Sequence, residues 1–486
     1  MIYTGTMAAT SRIPESSPRQ LAERMLSRAA GAPLVGGNSV TLLIDGTAHF
    51  DAWLRAIRGA RRRVLLENYI IRDDEVGRAF RDALVERAAA GVLVAVVVDW
   101  LGCLGQSGSR FWAPLRAAGG RVRVFNAPRL GEPLGWINRD HRKLLVVDGV
   151  QGFLSGVCIS AKWLGNPARH EAPWRDTGVA LRGPAVAELE SAFAQSFGGT
   201  GEPLGALAPI PGTTIPAGAV ALRVIASQPA RARLYRLDLL IASMARRTLW
   251  LTDAYFVGIA PYVETLMEAS RDGVDVRLLV PSSSDVPIVA SMSRSGYRPL
   301  LKAGIRVFEW NGSMLHAKTA VVDGLWSRVG SSNLNIASWL GNLEIDVAVE
   351  DAGFADQLAA QYEHDLQNAT EIVLSPRRFR RSERVRRSAA RRPRLRHAGG
   401  SSSRAAVGAL RIANTVGVAL ANRRVLGRAS GAPPLIGALV LMALAVIAIS
   451  RPAWISWPLG AIAGWFALNM GIQAWIARRR RRERRR

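Results

Sequence analysis

Two histidine–lysine pairs hold most of the chemistry this sequence can offer: His141-Arg-Lys143 and His316-Ala-Lys318. Each opens an H-x-K-x4-D string that ends at Asp148 or Asp323, followed by glycine. Histidine serves both as nucleophile and as proton donor near neutral pH. On an extended segment residues i and i+2 face the same side. Each histidine and its lysine therefore address one cleft, while Arg142 or Ala317 points away. A lysine beside the imidazole adds positive charge for a phosphoryl oxygen. Two such pairs around one phosphodiester predict a double displacement. One histidine attacks phosphorus; the other protonates the leaving alkoxide, then takes a proton from the incoming alcohol or water.

Other residues fit around this pair of strings. Ser331, Asn333 and, in the first half, Ser160 are candidate hydrogen-bond donors to the phosphate oxygens. Glu344 and Asp176 are candidates to orient the imidazoles. Asp148 and Asp323 close the repeated strings and are grouped with the catalytic residues. No HExxH string, paired-cysteine cluster or DxD string accompanies them, so the chemistry requires no metal, and no cofactor is expected.

The elements that must position these groups follow an α/β pattern that occurs twice. Val92 to Asp99 is a continuous apolar run, the mark of a strand buried on both faces. Asp73-Asp74 caps a helix from about residue 75. Leu115-Arg-Ala-Ala-Gly corresponds to Leu301-Lys-Ala-Gly, and Arg123-Val-Phe125 to Arg306-Val-Phe308, each a short way before its histidine. The first half is expected over 38–198, a Gly/Pro/Ala-rich linker over 199–218 and the second half over 219–370. A polar segment with a short amphipathic helix occupies 1–37. Leu21, Met25 and Ala29 lie at helical spacing there, for packing on the domain or for a membrane surface.

Net charge is +26, which ordinarily suggests nucleic acid. Its distribution argues otherwise: from Arg377 to the end there are 25 arginines against two glutamates, leaving about +3 for everything before. The catalytic region is nearly neutral, and no nucleic-acid partner is expected. Cys103 and Cys158 form no cluster, which suggests buried free thiols in a reducing compartment. There is no apolar N-terminal stretch of signal-peptide type. A basic segment spans 371–430. Two apolar spans follow, Leu435 to Ser450 and about Trp454 to Ile476, and predict a two-helix transmembrane hairpin over 431–477 with an arginine tail over 478–486. Arginines flank both ends, which places them and the catalytic region on the cytoplasmic side.

The second string, H-x-K-x4-D-x6-G-S-x-N, resembles that of the phospholipase D superfamily. Its setting is similar to the bacterial cardiolipin synthase branch. The matching stretches are Leu65-Leu-Glu67-Asn-Tyr69-Ile, Trp174-Arg-Asp176-Thr, Val280-Pro-Ser-Ser-Ser-Asp285-Val-Pro, Met314-Leu-His316-Ala-Lys318 and Asn342-Leu-Glu344. The resemblance covers about residues 38 to 366. It implies a duplicated phospholipase D-like fold of two α/β halves related by a pseudo-twofold, with the cleft between them. It also implies metal-independent phosphatidyl transfer on membrane phospholipids, with phosphatidylglycerol or CDP-diacylglycerol as substrates, at the bacterial inner membrane. By that likeness His141 and His316 are the essential pair, with Lys143, Lys318 and Asn333 at the phosphate. One departure stands out: Cys158 occupies the first-half position matching Asn333. Cysteine is a poor donor, so that side of the site is weaker or uses Ser160.

The favoured reading is cardiolipin synthesis through a phosphohistidine. A phospholipase D-type hydrolase shares every residue named. A nuclease would want a basic core, and a relic membrane-binding protein would have lost the second-half residues, which are intact.

Overall fold

The computed structural model describes residues 18–128, 138–205, 215–374 and 465. The chain divides into two compact units, Met1–Ala421 and Asn422–Arg486, and the second is described only at Trp465.

In the first half, α1 (Pro18–Ala30) precedes β1 (Val35–Ile44), α2 (Asp45–Arg58), β2 (Arg63–Asn68) and α3 (Glu75–Ala89). Then come β3 (Leu93–Asp99), α4 (Ser109–Ala117), β4 (Arg121–Phe125), β5 (Lys143–Val147), β6 (Gln151–Ser155), β7 (Thr177–Arg182) and α5 (Val186–Gly198). The second half begins with β8 (Val220–Ser227), α6 (Arg233–Met244), β9 (Thr248–Thr252), α7 (Ala260–Arg271) and β10 (Asp275–Pro281). It continues with α8 (Pro287–Ser295), α9 (Tyr297–Lys302), β11 (Arg306–Trp310), β12 (Thr319–Val322), β13 (Trp326–Gly330) and β14 (Glu344–Glu350). It closes with α10 (Ala352–Leu366) and β15 (Ala369–Ile372).

The strands lie in the order β15-β11-β10-β9-β12-β13-β14-β8-β1-β7-β6-β5-β2-β3-β4. Apart from β15, this order reads alike in both directions from the β8–β1 junction. In each half three strands are parallel, β2-β3-β4 and β9-β10-β11, and the rest pair antiparallel. The chain-order crossovers needed for the parallel pairs are helical, as their geometry requires. Leu144 to Val147 is fully buried because β5 is an interior strand covered on both faces. Leu65, Leu144 and Val179 from one half share a single apolar core with Val321, Ile345 and Val347 from the other, filled out by α5 and α10. That shared core sets the two halves against each other behind the site. Capping of α3 agrees with the sequence, since Asp74 accepts from Gly77 N at 3.0 Å; at the start of α10, Asp351 accepts from Phe354 N at 2.8 Å.

Three expectations need correction. The transmembrane hairpin over 431–477 is not upheld, since among the described residues no helix is long and apolar enough to cross a membrane. The longest, α3 and α10, have 15 residues each, about 22 Å at ~1.5 Å per residue, short of a ~30 Å hydrocarbon core. Except for Trp465, the hairpin segment lies outside the described residues, as do 1–17, 206–214 of the linker, 375–430 of the basic segment and the 478–486 tail. In α1 the core-facing residues are Leu26 and Ala30, packed with α6, while Leu21 and Met25 are 53% and 47% exposed. The apolar stripe is displaced by one residue from the spacing that predicted it. Finally, α8 and β15 had no counterpart in the sequence reading. They are short, and β15 is a half-exposed edge strand whose sequence, Ala-Thr-Glu-Ile, carries little periodic signal.

Candidate active site

Both histidines sit where the two halves exchange backbone hydrogen bonds. His141 N donates to Leu343 O at 2.9 Å and Leu343 N to Arg139 O at 2.8 Å. In the mirror position His316 N donates to Arg175 O at 2.7 Å and Arg175 N to Met314 O at 2.9 Å. These two parallel bridges bring the next residue of each partner segment, Glu344 or Asp176, against the imidazole. His141 Nδ1 lies 3.0 and 2.9 Å from the Glu344 carboxylate oxygens, and His316 Nδ1 lies 2.8 Å from Asp176 Oδ2. Each half thus supplies the acid that holds the other half's histidine. With Nδ1 occupied, Nε2 is the nitrogen left to the cleft, which both rings line.

The acids are themselves held. Ser331 Oγ donates to Glu344 at 2.6 Å and Asn342 Nδ2 at 3.3 Å; Trp163 Nε1 donates to Asp176 at 2.9 Å. The alternation in H-x-K sends the lysines to the same side as their histidines. Lys143 Nζ donates to His141 O at 2.5 Å, and Lys318 Nζ donates to His316 O and lies 3.0 Å from its Nδ1. Arg142 points the opposite way, into the interior. There it donates to Ala192 O and Ser196 Oγ at 2.8 Å and to Ser227 O at 3.1 Å, joining α5 to the end of β8. Arg175, beside Asp176, makes a two-pronged pair with Asp365 of α10, both bonds 2.8 Å.

Burial draws both imidazoles down to about 4 against the raising influence of their carboxylates, and Lys143 and Lys318 lower them further. Burial also lowers Lys318 to about 8. For the acids burial works upward, but it is outweighed: His316, Lys318 and Trp163 hold Asp176 below the usual carboxylate range, and His141 and Lys143 do the same for Glu344. At the centre of the site the imidazoles are therefore uncharged, beside the Lys143 and Lys318 side chains and the Glu344 and Asp176 carboxylates. A phosphodiester brings one negative charge and favours a proton on one imidazole, which is the state a double displacement needs.

The structure does not bring every candidate to this place. Asp148 and Asp323 lie at the far ends of β5 and β12 from the lysines. Asp148 accepts backbone N–H bonds from Arg61, Arg62 and Arg63 at 2.8 to 2.9 Å, and Asp323 from Arg246, Arg247 and Thr248 over the same range. Both residues have positive φ, 53° and 55°. They clamp the entry to β2 and β9 and do not line the cleft. Ser160 is engaged elsewhere too: its hydroxyl donates to Asp74 at 3.1 Å and accepts from Lys162 N. The Ser331 hydroxyl is turned to Glu344. Of the three proposed phosphate donors only Asn333 lines the cleft, its side-chain oxygen buried without a hydrogen-bond partner. Cys158 lies on the wall opposite in the duplicated scheme, and burial raises its thiol.

Aromatic rings frame the imidazoles. Tyr69 is 4.9 Å from His141 between centroids; Trp163, Trp174 and Tyr255 stand 5.4, 5.6 and 5.8 Å from His316. None of these rings, nor Asn342, was given a role from sequence, although Tyr69, Trp174 and Asn342 lie in the stretches that carry the resemblance. The available signal was proximity: Trp163 and Trp174 bracket the approach to Asp176, and Asn342 stands two residues before Glu344.

Comparison with known proteins gives consistent matches. The family described as "Cardiolipin synthase, PLD-like domain" matches residues 240–366. Cardiolipin synthase A of Pseudomonas entomophila (strain L48) is 36% identical over 361 residues, covering 72% of this chain and 73% of that protein. Cardiolipin synthase A of Pseudomonas aeruginosa is 35% identical over 365 residues, covering 73% and 72%. Among solved structures, a phosphatidylserine synthase from Haemophilus influenzae Rd KW20 superposes with a TM-score of 0.53 at 14% identity, covering 72% of this chain and 91% of that one. At that identity the likeness concerns the fold.

Proposed function

Because the chain belongs to the phospholipase D superfamily, in its cardiolipin synthase-like branch, we propose that it is a phosphatidyltransferase acting on anionic glycerophospholipids, with cardiolipin as product. The observation that carries this reading is the reciprocal arrangement of His141–Glu344 and His316–Asp176 around one cleft. Two imidazoles, each fixed through Nδ1 and open at Nε2, are what a two-step exchange at phosphorus requires.

In the first step one Nε2 attacks phosphorus and the bond to the leaving alcohol breaks. The departing oxygen takes its proton from the other imidazole. In the second step that imidazole, now neutral, accepts the proton of the incoming hydroxyl, whose oxygen attacks the phosphohistidine and releases the first histidine. Lys143 and Lys318 keep positive charge beneath the rings, a role that lets the site work independently of a metal, and the Asn333 amide is placed to meet a nonbridging oxygen. Donor and acceptor are membrane phospholipids on this reading, with phosphatidylglycerol or CDP-diacylglycerol as the donor, so the cleft works at a bilayer surface.

The test is product analysis of the detergent-solubilised full chain supplied with labelled phosphatidylglycerol, alone and together with CDP-diacylglycerol. Cardiolipin with release of glycerol is the expected result. Phosphatidic acid alone would reject transfer in favour of hydrolysis, and absence of turnover would reject an intact enzyme.

A further inference from the structure

The duplicated site is nearly symmetric at its centre and asymmetric in charge at its rim. The spacing that relates His141 to His316 also relates Cys158 to Asn333 and Lys162 to Ala337. The backbone defines another pair: Arg72 N donates to Ile159 O at 3.0 Å, as Val257 N donates to Leu334 O at 3.2 Å. Arg72 and Val257 are therefore equivalent positions, and so are Lys162 and Ala337. All four line the cleft. The first half thus presents two cations where the second presents two small apolar side chains.

The cations are held at the wall. The Lys162 ammonium lies 4.7 Å over the Trp174 ring, which itself stands against His316. On the opposite wall the groups suit hydroxyls instead: Tyr255 OH donates to Asp285 at 2.6 Å.

We propose that Arg72 and Lys162 form an anion subsite for a second phosphate, beside the one undergoing transfer, and so give the pseudo-symmetric cleft a direction. The inference rests on the phosphatidyltransferase reading for its substrates, but the charge asymmetry stands without it. Two sources can supply the second phosphate: the acceptor lipid's own phosphodiester, or the diphosphate of a nucleotide-activated donor.

Binding of inorganic phosphate and of glycerol 1,3-bisphosphate to the full chain, at constant ionic strength, tests the subsite independently of turnover. The bisphosphate should bind about tenfold or more tighter than phosphate, as expected for an added charge-assisted contact. That advantage should vanish in Arg72→Gln/Lys162→Gln and return in Arg72→Lys. Equal binding of the two probes by the unaltered chain overturns the proposal, as does an advantage that survives the double substitution. Transfer assays then separate the sources. A selective loss in the double variant with phosphatidylglycerol rather than glycerol as acceptor identifies the acceptor phosphate. A selective loss with CDP-diacylglycerol rather than phosphatidylglycerol as donor identifies the diphosphate. A chain that binds the bisphosphate preferentially yet transfers to no acceptor retains the subsite and refutes the transferase reading.

Discussion

Asp176 Oδ2 lies 2.8 Å from Nδ1 of His316, 140 positions away in sequence, and accepts the Trp163 indole N–H at 2.9 Å. The carboxylate belongs to the first half and the imidazole to the second. The relationship is fixed by the Arg175–Leu315 bridge one residue earlier on each side, so it follows from backbone register and not from side-chain reach.

Removing the charge while keeping the shape should separate orientation from folding. Asp176→Asn is expected to lower kcat about a hundredfold or more, within the range for general acid–base groups, with little change in KM or in melting temperature. Steady-state kinetics beside a thermal melt checks this. Unchanged kcat would reject the orienting role. Glu344→Gln should act likewise through His141.

Anion binding should take up a proton. Burial and the lysines hold His141 and His316 at about 4, so both are neutral near pH 6. A bound phosphate monoanion raises an imidazole, and the complex then carries more protons than its parts. Affinity should fall as pH rises through the raised value in the complex. Calorimetry of orthovanadate binding at pH 6, in buffers of differing ionisation enthalpy, should show net uptake. Proton release would contradict the charge arrangement described above.

Asp148→Ala and Asp323→Ala should behave as stability variants. Each removes a carboxylate that accepts three backbone N–H bonds at a partly exposed turn, a loss of about 2 kcal/mol by the usual worth of charge-assisted bonds. The folded fraction should retain most of its kcat. Denaturant titration with active-site-normalised kinetics measures both. A large loss of kcat at unchanged stability would return these residues to the catalytic set.

Asp365→Ala should be costly although it lies away from the reacting atoms. It leaves the buried Arg175 guanidinium with Asp45, at 3.4 Å, as its remaining carboxylate, so the loss should fall below the roughly 3 to 5 kcal/mol of a fully uncompensated buried charge. Arg175 also supplies the carbonyl that fixes His316 N, so kcat should drop as well. Equal stability of the variant and the unaltered chain would show that Arg175 finds another acceptor.

Much of the site could be read from residue order. The H-x-K alternation put Lys143 and Lys318 on the histidine side and Arg142 on the other, because extended backbone has a period of two. Glu344 and Asp176 could be picked out as candidate partners of the imidazoles, but not which histidine each would touch, since the cross-half pairing depends on two short bridges with no local signature. Asp148 and Asp323 were grouped with the catalytic residues because each closes its copy of the repeated string. The intervening strands carry them to the other end of the sheet. Ser160 looked available until Asp74, a helix cap distant in sequence, was seen to occupy it. In α1 Leu21 and Met25 suggested a buried stripe, but the contact with α6 is made one residue further on.

The separation of 203 positions between His141 and Glu344 also orders events during synthesis. The first half can emerge, collapse around its own core and present His141 and Lys143 long before β14 exists. Until Glu344 arrives that imidazole has no partner at Nδ1, and until α10 follows, Arg175 lacks Asp365. The site is complete only when the last strands of the second half close the sheet.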